Sequence, residues 1–142
     1  MELSELYSEV IKEHSISAHN KKHLPHATIV MPGRNPSCGD EIELELQVED
    51  GIIKNGAFTG VGCAISQASV SIMIDLVRGR TAQDARRLAE LFLKMALRQP
   101  LLPEELQELE DAAALQNISD MPARVKCATM PWHTLLKVLD NI

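Results

Sequence analysis

Residues 41–51, "EIELELQVEDG", alternate with a strict period of two. Ile42, Leu44, Leu46 and Val48 fall on one side of an extended chain, and Glu41, Glu43, Glu45 and Gln47 on the other. A helix would scatter these residues around its circumference, whereas a strand sorts them into one dry and one wet face. That division fits an antiparallel sheet covered on a single side. Asp50-Gly51 supplies a hairpin turn, and "IIKNGAFTG" returns as the partner strand. From Ala64 the period changes to 3.6: Ile65, Ala68, Ile72 and Leu76 share one helix face, while Val70, Ile74 and Val77 make the opposite side apolar too. Such a helix is buried nearly all round. Strands first and helices afterwards predict an α+β fold, a small antiparallel β-sheet with helices packed on one face.

The remaining segments fit around that unit. Leu3, Leu6, Tyr7 and Val10 have helical spacing, so the first dozen residues read as a short amphipathic helix. "HSISAHNKKHLPH" reads as a solvated polar connector, and "ATIV" as a short apolar run broken by "PGRNP". After "RGRT", Thr81 and Asp84 resemble a capping box. It opens a helix whose core stripe is Ala85, Leu88, Ala89, Phe92, Met95 and Ala96. "PEELQELEDAAAL" is acidic and helical, with Pro103 in its first turn and a solvated face over 104–111. "PWHTLLKVLDNI" closes the chain as a helix beginning near Pro131, with Leu135, Leu136 and Leu139 inward. No internal repeat or second domain is evident, and 142 residues read as one domain, 1–142.

Hydrophobic residues make up 45% of the chain, enough for a core that needs neither metal nor disulfides to fold. Fourteen basic against twenty acidic residues give a net charge of −6, the opposite of a nucleic-acid footprint. No apolar run approaches the roughly 20 residues a membrane span needs, and the early acids of "MELSELYSEVIKEH" do not make a secretory leader. Three cysteines, an odd count, argue against a disulfide framework and for reduced thiols in a cytoplasmic protein.

Each cysteine sits at a boundary: Cys38 in the turn sequence "NPSCGD", Cys63 between a strand and the buried helix, Cys127 just before the closing helix. A helix N-terminus favours the thiolate, which bears on Cys63 and, through the helix opening near Pro131, on Cys127. Two readings stay open on the residues alone. Free cysteines are commonly small buried hydrophobes; alternatively, three sulfurs and the Asp40 carboxylate are enough for a tetrahedral zinc site. Asp40 by itself is equally an ordinary Gly-Asp turn residue. The spacing lacks paired CxxC knuckles and does not choose between them.

The longer motifs "NPSCGD", "FTGVGCAISQASVSIM" and "RVKCATMPW" together resemble the U-type iron–sulfur cluster assembly proteins, the IscU/SufU/NifU N-terminal family, with its SufE/NifU-like fold. The resemblance covers almost the whole chain. It implies that Cys38, Asp40, Cys63 and Cys127 form one metal or cluster site at the end of the sheet. Within the family the chain resembles the SufU branch. Lys126 stands where IscU-type scaffolds have a histidine before the third cysteine, and "MPARVK" is a poor match to their chaperone-binding signal. "RQPLLPEELQELEDAAALQ" resembles the SufU insertion, and Arg124 to Cys127 the SufU Arg-x-Lys-Cys pattern. The chain departs from the family in "HSISAHNKKHLPH", which lacks a Pro-Arg-Asn pattern, and in Ser37, where threonine is usual.

The resemblance implies a zinc-dependent sulfurtransferase that accepts persulfide sulfur from a pyridoxal-phosphate cysteine desulfurase of the SufS type, with downstream Suf scaffold proteins as further partners. Cys38 is the implied acceptor, released from the metal when the desulfurase supplies a substitute ligand. Asp40 is the hard ligand. Lys126 offers positive charge near an anionic site, and Arg124 positions Cys127 or meets the partner; a solvated lysine and a simple ion pair are the plain alternatives. Two other functions compete: a scaffold holding a transient [2Fe-2S] cluster, favoured less because of Lys126 and the insertion, and a zinc-stabilised adaptor of the desulfurase. A Cys–His hydrolase or histidine metal site finds no support, since His14, His19, His23, His26 and His133 form no recognised pair with a cysteine.

Overall fold

The computed structural model describes residues 3–37 and 39–142, with side chains described from residue 9 onward. Cys38 and the inward face assigned to Leu3, Leu6 and Tyr7 lie outside the described residues and side chains. Helix α1 spans Leu3–Ile16, followed by strands β1 (Ile29–Asn35), β2 (Asp40–Glu49) and β3 (Ile52–Val61). Helices α2 (Ala64–Val77), α3 (Ala82–Ala96), α4 (Pro103–Glu108) and α5 (Pro122–Asp140) complete the chain, with two short 3₁₀ turns between α4 and α5. The sheet is antiparallel throughout, in the order β1-β2-β3.

The β2–β3 hairpin forms as its alternation predicts. Asp50 and Gly51 both take positive φ, 52° and 74°, as a two-residue turn matched to strand twist requires. Ile42, Leu44 and Leu46 are buried on the covered face. The other face is less wet than expected: Glu45 is only 5% exposed, its carboxylate bonded to His23 Nδ1 at 2.7 Å and accepting the Leu24 amide at 3.1 Å.

Those contacts refine the reading of residues 14–26 as a solvated connector: most of the segment is exposed, but Asn20 and Leu24 are buried. The segment docks along β3, where Phe58 N–H donates to the Asn20 carbonyl and Lys22 N–H to the Phe58 carbonyl. It then passes over Glu45 to the start of β1. Asn20, fully buried, donates to the Ser71 carbonyl and to Asp75, and accepts from Arg78. Burial raises the Asp75 carboxyl, and its bonds to Asn20, Arg78 and His19 outweigh that and hold it below its usual range. Polar composition misleads here because the buried groups find partners on other elements.

A correction concerns Pro32-Gly33, read as a break. β1 runs through it, with Pro32 paired opposite Glu43. An edge strand tolerates a residue with no amide hydrogen to give, and β1 is an edge of this sheet.

α2 is buried on nearly every side, packing on β3, α1 and α5. α3 begins at Thr81, whose hydroxyl accepts the Asp84 amide at 3.1 Å. Asp84's carboxylate turns to Arg80 and Arg87, so the N-cap forms without the reciprocal half of a capping box. The acidic segment is shorter in helix than its composition predicts: α4 ends at Glu108, and Glu110 adopts φ 50°. Its apolar residues Leu109, Ala112, Leu115 and Ile118 are fully buried, so this segment is part of the core.

The closing helix begins earlier than predicted. α5 starts at Pro122 and contains both Cys127 and Pro131. Pro131 withholds one backbone donor, the one due to the Cys127 carbonyl, and packing on β1, α2 and α3 carries the helix through. Cys127 therefore stands beyond the first turn, where the amide and dipole effect of a helix N-terminus has faded.

Candidate metal centre

The end of the sheet where β2 begins and β3 ends brings three chain regions together. Asp40 is the first residue of β2, Cys63 caps α2 immediately after β3, and Cys127 lies on the face of α5 turned toward the sheet. Ligand atoms of Asp40, Cys63 and Cys127 lie within 4.8 Å of one another. Cys127 is fully buried and Cys63 half-buried, both as free thiols.

Asp40 is only 2% exposed, so its orientation depends on hydrogen bonds. Oδ1 accepts from the Cys63 amide at 2.9 Å and from the Ser66 hydroxyl at 3.0 Å. Asn35 Nδ2 lies 3.3 Å from Oδ2 and 3.6 Å from Cys127 Sγ, bridging carboxylate and sulfur. Burial pushes the Asp40 carboxyl up. The bonds from the Cys63 amide, Cys127, Ser66 and Asn35 together outweigh it, and the net shift is downward. A carboxylate ionised at neutral pH and held by fixed donors is ready to meet a cation.

The donor set fits a zinc ion. Two sulfurs at the usual 2.3 Å from zinc stand about 3.8 Å apart in a tetrahedron, so donors within 4.8 Å need only a modest contraction. Two thiols and a carboxylate are ligand types that zinc accepts. Of the four residues implied by the motifs, the structure brings these three together, and Cys38 lies outside the described residues. Arg124 and Lys126 are exposed on the first turns of α5. The histidines are dispersed, His14 bonding Ser71, His19 Asp75 and His23 Glu45, while His133 is exposed on α5.

Sequence reasoning passed over Asn35 and Ser66, and read Gly62 only as letting backbone approach closely around Cys63. Asn35 opens the "NPSCGD" motif, and Ser66 follows Cys63 by one helical turn, but neither position signals a role before the carboxylate is located. Gly62 matters for its lack of a side chain: a Cβ there would meet the Ser66 hydroxyl and come within 2.7 Å of Asp40 Oδ1. Gly62→Ala is therefore expected to displace the carboxylate and lower zinc affinity by about 10- to 100-fold, the range for losing a ligand's supporting contacts. Helical circular dichroism should be preserved. Zinc titration against a chromogenic chelator measures it, and unchanged affinity would remove Asp40's carboxylate from the donor set.

The chain compares with known proteins along nearly its full length. The iron–sulfur cluster assembly scaffold protein IscU of Thermotoga maritima is 38% identical over 137 residues, covering 96% of this chain and 94% of that protein. The zinc-dependent sulfurtransferase SufU of Bacillus subtilis is 37% identical over 135 residues, covering 95% and 90%. A crystal structure from Fervidobacterium islandicum, described as an iron–sulfur cluster assembly scaffold candidate for the SUF system, superposes with a TM-score of 0.88. It shares 33% identity and covers 95% of this chain and 97% of its own. The family of NifU-like N-terminal domains matches residues 6–128. Because that match takes in the β-sheet, the buried α2 helix and all three clustered donors, the chain belongs to the NifU-like N-terminal domain family.

Proposed function

We propose that this protein is a zinc-dependent sulfurtransferase of iron–sulfur cluster assembly, taking persulfide sulfur from a pyridoxal-phosphate cysteine desulfurase onto Cys38. The observation that carries the reading is the convergence of Asp40, Cys63 and Cys127 from three separate elements. Cys38, two residues before Asp40 in the sequence, is the fourth donor and the acceptor. Bound zinc would supply a stabilising charge that keeps the sulfurs as thiolates at neutral pH.

The remaining chemistry belongs to the chain. The Cys38 thiolate attacks the terminal sulfur of the desulfurase persulfide, and a new sulfur–sulfur bond forms as the old one breaks. The desulfurase cysteine leaves as thiolate, so charge and electron count are conserved. Asn35 and Ser66 hold Asp40 in place during the exchange. Lys126, exposed beside Cys127, contributes positive charge near a site that gathers anions, and Arg124 meets the partner from the same end of α5.

The names of the relatives divide between sulfurtransferase and scaffold. In favour of the first stand Lys126 before the third cysteine and the inserted segment 98–116, two of the features that resemble the SufU branch. A scaffold building a transient [2Fe-2S] cluster is the second reading, favoured by the Thermotoga relative's name. Metal analysis of the aerobically purified protein separates them. About one zinc per chain and a colourless solution are expected, since zinc's filled d shell gives no visible absorption, together with stimulation of desulfurase turnover. A stable brown protein with near-stoichiometric iron and sulfide would overturn the sulfurtransferase reading in favour of the scaffold.

A further inference from the structure

Beside the donor cluster, a groove of about 500 Å³ runs between the end of β1 and α5. Arg34, Lys126, His133 and Lys137 line it, and among the described residues no carboxylate does. This is unexpected on a chain whose net charge is −6. At 100° per residue, positions 126, 133 and 137 return to within about 20° of one line, spread over roughly 16 Å of helix. They therefore form a stripe facing the end of β1. Arg34 keeps an ion pair with Glu41 at 3.1 Å on the exposed strand face. Lys126, His133 and Lys137 have no ion pair among the described residues.

The groove is continuous with the site. Its β1 wall passes through Asn35, Pro36 and Ser37, and Lys126 directly precedes Cys127. An occupant would lie against Asn35, which bonds Asp40 and Cys127, without entering the donor cluster.

We propose that this groove docks an acidic, extended segment of the protein that delivers sulfur to the site, its carboxylates pairing with Lys126 and Lys137. The proposal rests on the sulfurtransferase reading and specifies where the donor enzyme is gripped. The spread of the cations selects the occupant. Roughly 16 Å exceeds what one phosphate or carboxylate spans, and equals about five residues of extended chain. The acidic balance of the whole molecule argues against nucleic acid.

The test uses His133→Glu with Lys137→Glu, both exposed and outside the donor set. A labelled glutamate-rich peptide is titrated by fluorescence anisotropy, and the full-length variant is assayed as acceptor for the cysteine desulfurase. Peptide affinity is expected to fall by about tenfold or more, and the acceptor KM to rise by a similar factor, with kcat and zinc content unchanged. Added salt should weaken the wild type more than the variant. Unchanged peptide affinity and KM would overturn the proposal. So would displacement of the peptide by inorganic phosphate at ionic strength matched with chloride, which would make the groove a small-anion site. A wild type that takes no sulfur at any concentration removes the functional reading, while the peptide titration still decides whether the groove takes acidic chain.

Discussion

Cys38→Ala is expected to reduce persulfide acceptance to background while leaving measurable zinc binding. Asp40, Cys63 and Cys127 already converge, and Asp40 is held by bonds that do not involve residue 38, so three donors survive the substitution. The acceptor does not: without a thiolate at position 38, nothing attacks the donor's terminal sulfur. Cys63→Ala and Cys127→Ala should do the reverse, weakening zinc retention more severely and sulfur transfer as a consequence. Mass spectrometry after incubation with desulfurase and cysteine reads the added sulfur atom on each variant, and zinc titration reads the donors. Persulfide on Cys63 or Cys127, with Cys38→Ala fully active, would refute the assignment. Equal and complete zinc loss in all three variants would point to a rigid structural ion with no releasable ligand.

Trp132→Ala is expected to produce the largest loss of stability among single substitutions away from the site. The indole is fully buried and stacks on Phe92 of α3 with centroids 4.0 Å apart and planes inclined by 10°. Its Nε1 donates to Ser69 Oγ of α2 at 2.9 Å, and that hydroxyl donates in turn to the Ala128 carbonyl at 2.6 Å. One side chain thus joins three helices. Truncation empties a large volume and removes the donor to Ser69, at a cost of about 3–5 kcal/mol. Urea denaturation of the chelated protein measures this without a contribution from metal binding. A loss below about 1 kcal/mol would show that the surrounding helices collapse into the space. Trp132→Phe should retain most of the packing and lose mainly the hydrogen bond, about 1 kcal/mol.

The segments read correctly from sequence are those whose signal is local and repeated. β2 alternates, α2 and α3 have a period of 3.6, and Asp50-Gly51 permits the backbone that its hairpin needs. The misreadings share a cause. Pro32 and Pro131 are strong breakers in isolation, yet one lies in an edge strand and the other in a helix supported by its neighbours. The polar connector gives no period at all, and its order comes from Ser71, Asp75 and Glu45, all distant in sequence.

The candidate site divides along the same line. The motif resemblance singles out Asp40, Cys63 and Cys127 in the chain, whereas residue type and spacing alone leave them equally readable as buried thiols and a turn aspartate. Their meeting is not written in any local stretch. Asp40 and Cys63 are 23 residues apart, joined across the sheet by the antiparallel register of β2 and β3. Cys127 arrives on another helix whose start was misplaced by sequence reasoning. The supporting contacts of Asn35 and Ser66, the close approach at Gly62 and the cationic groove along α5 exist only once these elements have packed. Periodicity reflects which face of each element is dry, a property of neighbouring residues. Convergence depends on which dry faces bury one another, a property of the folded chain.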